Sequence, residues 1–160
     1  MIMTDREKEA ARKKSLGELG ELFGIKALVD AQFDKIRNLN DDHMNTAFAD
    51  LYAEKDGQKF VISVKARNKY QANGKPNTRY NLGTDVYRKA EEIAKKYKAE
   101  PYWMAIQFDE RSYSVYFGAL TDLNSKNAIP IDKCERGEVG KILVHNKKHF
   151  FDFSFYSNNQ

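Results

Sequence analysis

The sequence predicts an α/β domain in which helices pack against a mixed β-sheet. Three observations carry that expectation. A helical stretch rich in apolar residues comes first, three strand-like runs follow it, and a second helical stretch separates these from further strands. That order of elements suits a mixed sheet covered by helices. The 160 residues fit one domain with a sizeable core, and the sequence has no repeat, low-complexity tract or linker.

Residues 5–14 are charged and contain alanine, a helical lead-in. Ser15 can cap a helix with Glu18 three positions on, the spacing of a capping box. That helix is expected over about 16–32, with Leu19, Leu22, Phe23, Ile25, Leu28 and Val29 covering much of its circumference. Gly17, Gly20 and Gly24 make no phosphate loop, since no strand precedes them and no Gly-Lys-Ser/Thr follows. Close helix–sheet packing explains them better.

Residues 33–39 read as a first strand, closed by Asn40-Asp41-Asp42. Runs at 46–54 and 59–67 flank Lys55-Asp56-Gly57-Gln58, and Asp-Gly in that setting signals a two-residue hairpin turn. Residues 68–83 are polar and read as a long loop or mobile flap. Thr84 or Asp85 then caps a helix through Tyr97. Residues 102–108 and 112–119 form a second hairpin, and short strands are expected near 141–145 and 149–156. The domain core therefore spans about 15–120, and strands within 120–156 complete it.

Hydrophobic residues make up 41% and charged residues 31%, an ordinary soluble composition. No apolar run approaches the roughly 20 residues of a membrane span. The first fifteen residues lack the apolar stretch of a signal peptide. Cys134 stands alone among charged neighbours, which suggests a surface loop, excludes an internal disulfide and makes the cytoplasm the default compartment. The net charge of +4 is unevenly spread: positions 65–98 hold ten Lys and Arg against three acids. A polyanionic partner would find that stretch attractive.

With Asp56 and Gly57 as the turn, Lys55 pairs with Gln58, and Asp50 faces Ser63. Alternation then sends Asp50, Ser63 and Lys65 to one face, with Lys65 the diagonal neighbour of Asp50. Ala49, Leu51 and Ala53 lie on the other face against Phe60, Ile62 and Val64. A slip of one residue would bury both charges, so the apolar pattern fixes the register. A plain cross-strand ion pair would also account for the acid and the lysine. Against that stand the apolar runs that enclose both charges, the Glu-bearing helix before them, and the basic segment after Lys65.

Asp50 followed by Ser63-Val64-Lys65 resembles the PD-(D/E)XK nuclease superfamily, which includes restriction endonucleases and Holliday-junction resolvases. Its members place an Asp on one hairpin strand and an acid-x-Lys tripeptide on the next. The resemblance covers roughly 15–120 and implies a restriction endonuclease-like fold and a metal-dependent endonuclease cutting phosphodiester bonds, DNA ahead of RNA. It assigns Asp50, Lys65, Glu21 and Ser63 to the catalytic site. Asp50 and Glu21 would hold Mg²⁺ or Mn²⁺, with Glu18 as the runner-up on the helix. Ser63 is a departure, since the family has an acid there and a neutral hydroxyl does not replace a carboxylate. Glu54 offers another repair, and a non-catalytic nucleic-acid-binding module on the same fold is the alternative. Arg67, Lys69, Lys75 and Arg79, interleaved with Tyr70 and Tyr80, suit phosphate contacts and base stacking, and Arg88 could touch a backbone. Related nucleases often pair two chains to cut two strands, so a homodimer is the implied assembly, with no membrane partner.

Overall fold

A tight turn at Asp56 (φ 51°) and Gly57 (φ 81°) joins β2 (Leu51–Lys55) to β3 (Gln58–Asn68) in the expected register, Lys55 opposite Gln58 and Leu51 opposite Ile62. The computed structural model describes residues 2–42 and 47–149. Around this hairpin a six-stranded sheet runs in the order β1-β2-β3-β5-β6-β8, with β1 (Asp34–Asn38), β5 (Glu100–Phe108), β6 (Ser112–Ala119) and β8 (Lys141–Lys148). Only the central pair, β3 with β5, is parallel, so the sheet is mixed. Helix α2 (Val86–Tyr97) lies in the crossover between those two strands, as parallel pairing requires.

Helix α1 (Asp5–Asp30) covers one face of the sheet. Leu16, Ala27 and Leu28 join Leu51, Ala53, Phe60, Ile62, Val64 and Ala66 in one buried cluster. The opposite face is also covered, for Tyr52 and Val61 pack with Ile93 of α2. Beside it, Trp103 and Ala105 pack with Tyr80 of β4 (Arg79–Asn81), Ile129 of β7 (Ala128–Pro130), and Ile131 and Cys134 of α3 (Ile131–Glu135).

Several expectations change. Helix α1 is continuous through Ser15, and its cap is Thr4, whose hydroxyl accepts from the Glu7 N–H while Glu7 accepts from the Thr4 N–H. An equally good capping box eleven residues earlier overrides the one at Ser15. Ala49 lies on the α2 side with Tyr52 and Val61, because the strand begins only at Leu51 and Phe48 has φ 77°. Cys134 is fully buried in α3, and burial pushes its thiol up to about 12, so the surface-loop reading is replaced by a core residue. Within the span read as a loop, residues 69–77 are closed by a bridge between Tyr70 and Pro76, and Arg79–Asn81 form the short strand β4. The strand expected near 149–156 falls almost wholly outside the described residues, as does position 46 of the run read as 46–54.

Two helix glycines set how closely α1 approaches the sheet. A Cβ at Gly20 would stand 2.4 Å from the Cβ of Ala66, and one at Gly24 would stand 2.9 Å from the Met104 sulfur, whereas Gly17 faces open space. The Ala66 methyl sits directly on the backbone and cannot rotate aside. Gly20→Ala is therefore expected to destabilise the fold by about 1–2 kcal/mol, overpacking outweighing the gain in helix propensity. Gly17→Ala should stabilise it by up to about 1 kcal/mol. Urea denaturation of the two variants checks the opposite signs.

Candidate active site

Pairing between β2 and β3 ends at Leu51 with Ile62, and there the side chain of Asp50 takes over from the strand. The Asp50 N–H still donates to the Ile62 carbonyl at 2.8 Å. Its carboxylate accepts the Val64 N–H at 2.8 Å, a ladder donor that no further β2 residue meets. The carbonyl of Asp50 accepts from the Leu39 N–H at 2.9 Å, which ties the end of β1 to the same corner.

That tie brings Asn40 between two acids. Its side-chain amide donates to Glu21 Oε1 at 3.1 Å and lies 3.4 Å from Asp50 Oδ1, while the Asn38 amide reaches the same Glu21 oxygen at 3.3 Å. Glu21, projecting from α1 one residue after the tightly packed Gly20, thus meets Asp50 across one amide. The sequence marks Asn38 and Asn40 only as the end of a strand. Their spacing of two was the available signal, since it can put both amides on one side of the chain.

Burial raises the pKa of both acids above the ordinary carboxylate range. For Glu21 desolvation dominates, the asparagine hydrogen bonds oppose it, and the nearby charge of Asp50 adds to it. For Asp50 desolvation again dominates, against the Val64 N–H, Asn40 and the positive charge of Lys65. Lys65 acts on Asp50 through space, and among the described residues it closes no ion pair. Ser63, on the same strand face, is 2% exposed beside Trp103 of β5. Glu54 is committed elsewhere: it accepts the Tyr52 hydroxyl at 2.7 Å and faces Lys35 at 3.7 Å, both of which hold its carboxyl low. Among the described residues no three His, Cys, Asp or Glu side chains cluster as a metal cage.

The five basic residues part company. Arg67, Lys69 and Lys75 belong to the segment leaving the end of β3; Arg67 and Lys75 are exposed, and the Lys69 ammonium lies 5.7 Å from the centre of the Tyr70 ring. Arg79 is exposed on β4, across from Pro130. Arg88 is held by Asp85 and Glu92, so helix α2 neutralises part of the basic stretch internally.

No protein-family model matches this chain, and no curated protein matches it. Among solved structures it is similar to Hjc of Archaeoglobus fulgidus, a Holliday junction resolvase from an archaeal hyperthermophile. The TM-score is 0.53 at 16% identity, over 75% of this chain and 88% of that one. The chain has the restriction endonuclease-like fold. The resemblance drawn from Asp50 and Lys65 thus holds at the level of architecture. In this fold the Asp50 hairpin and the Glu21 helix converge on one corner, and no helix among the described residues is long and apolar enough to cross a membrane.

A carboxyl whose pKa is raised on folding binds protons more tightly in the native than in the unfolded state. Stability therefore falls as pH rises from the ordinary carboxylate value through the raised native one. Asp50→Asn removes that charge while leaving an oxygen to accept the Val64 N–H. It should stabilise the chain at neutral pH by about 1 kcal/mol, and the advantage should shrink as pH falls through the raised value. Denaturation curves of both proteins across pH 3–8, a range of about five units around the carboxylate values, test the sign.

Proposed function

We propose that this chain is a divalent-metal-dependent nuclease that hydrolyses phosphodiester bonds of nucleic acid, DNA ahead of RNA. The observation that carries the reading is the convergence of Glu21 and Asp50, from a helix and a distant hairpin, on the side-chain amide of Asn40. Among the described residues no lysine or arginine forms an ion pair with either acid, and partly desolvated carboxylates held together in this way are costly unless a cation completes them.

The donor set suits a hard cation. Mg²⁺ is commonly held by one or two carboxylates, with waters and substrate phosphates supplying the remaining oxygens, so two acids suffice. Glu21 and Asp50 would hold Mg²⁺ or Mn²⁺, with the Ser63 hydroxyl on the same strand face as Lys65. When bound, such an ion polarises a scissile phosphate and lowers the pKa of a water. Asn40 keeps the two carboxylates in register with each other. The Val64 N–H fixes one Asp50 oxygen and favours its ionised form. Lys65 brings an ammonium that closes no ion pair among the described residues, suited to orienting the attacking water or to balancing charge that develops on the phosphate.

Ser63 supports a second reading. The resembled nucleases have an acid there, and its replacement by a buried hydroxyl suits a non-catalytic nucleic-acid-binding module on the same fold.

Plasmid and single-stranded substrates should be cut in Mg²⁺ or Mn²⁺, and Lys65→Ala should slow cutting by on the order of a hundredfold or more. Cutting that survives this substitution would refute the site. Binding that weakens with salt, without hydrolysis in either metal, would favour the second reading. Calorimetric titration with Mn²⁺ should show binding to the wild type that Asp50→Ala abolishes.

A further inference from the structure

A cleft of about 740 Å³ lies between the N-terminal half of α1 and the loop that follows β3. Arg12, Lys13 and Lys14 line it from the helix, Arg67 from the end of β3 and Tyr70 from the loop, and buried Leu16 is also part of its lining. Glu9 is the acid on this lining, and Arg12 already engages it. The cleft is therefore cationic, and Tyr70 at 48% exposure offers it an aromatic ring. We propose that this cleft binds single-stranded nucleic acid through its phosphates and one stacked base, and delivers that strand to the corner where Glu21 and Asp50 meet.

Three features carry the assignment. The first is size: the volume falls within the range of ordinary ligand clefts and takes a few nucleotides of one strand. A duplex, whose major groove alone is about 12 Å wide, can only lie across it. The second is chemistry. Clustered Lys and Arg beside an accessible aromatic ring are the usual means of holding an unpaired strand. Three loop amides each commit one end to the loop itself. Asn77 donates to the Asn68 carbonyl, Gln71 donates to the Pro76 carbonyl, and Asn73 accepts the Lys75 N–H. These bonds brace the loop that carries Tyr70, and stacking on its ring is tolerant of base sequence. The third is position. Leu16 precedes Glu21 by roughly 7.5 Å of helix rise, and Arg67 follows Lys65 by roughly 6.6 Å of strand.

The delivery step rests on the nuclease reading, but strand binding does not, so binding is measured by fluorescence anisotropy in EDTA, where metal-dependent cutting cannot interfere. Labelled oligo-dT and oligo-U are compared with a duplex of the same length and with an acidic peptide. The wild type should prefer the single strands, and the two polymers show which sugar is favoured. Tyr70→Ala should weaken binding about tenfold or more with little change in salt dependence. Lys13→Gln with Lys14→Gln should lower the slope of log K against log salt by about 1.4. All three positions are exposed, so the fold should tolerate these changes.

Equal binding of duplex and single strand, an acidic peptide binding as tightly as oligo-dT, or insensitivity to Tyr70→Ala would overturn the proposal. If binding fails in this way while Lys65-dependent cutting persists, the nuclease reading stands and the cleft assignment falls. If strand binding holds and nothing is ever cut, the cleft stands and the nuclease reading falls.

Discussion

Register across the hairpin is the constraint from which the rest of the architecture follows. Two consecutive residues with positive φ fix the pairing of Lys55 with Gln58, and each later pair inherits it. At the far end that inheritance leaves the Val64 N–H facing the side chain of Asp50 instead of a backbone carbonyl. One hydrogen bond thus ends the strand and aims the carboxylate. A slip by one residue would exchange the two layers of core and leave the Val64 donor without its acceptor.

Much of this was legible because local chemistry and long-range packing agree here. Asp-Gly between alternating runs specified the turn, and apolar positions on β2 and β3 specified which residues face α1. Glu21 was legible as an acid on the right helix, and Gly20 and Gly24, though not Gly17, as points of close approach. The failures share a cause, which is competition that a local pattern cannot settle. Ser15 is a sound cap that Thr4 pre-empts. Ala49 follows strand parity only if the strand extends that far, and the pairing ends before it does. Cys134 has charged sequence neighbours but sits on the inner side of a short helix, which a five-residue element cannot reveal by periodicity. Asn40 was hidden because its role depends on two partners distant in the chain.

The candidate site also shows how this fold distributes its electrostatic cost. Exposed charges on α2 pair with neighbours one turn away, where such pairs contribute little and interfere with nothing. At the Glu21–Asp50 corner the fold instead brings together like charges that burial disfavours and supplies neutral amides to hold them. Strain of this kind gathers where a structure has been shaped for work rather than for maximal stability.

Helix α1 ties the two ends of this surface into one mechanical part. Its 26 residues form an unbroken rod of roughly 39 Å, with Arg12 near one end and Glu21 past its middle. Pinned by the Ala66 methyl under Gly20, the rod has little freedom to roll. Adding a single residue between Arg12 and Glu21 would swing one relative to the other by about 100° around the axis. The length of that segment is consequently a phase as well as a distance, and it tolerates substitution far better than insertion or deletion.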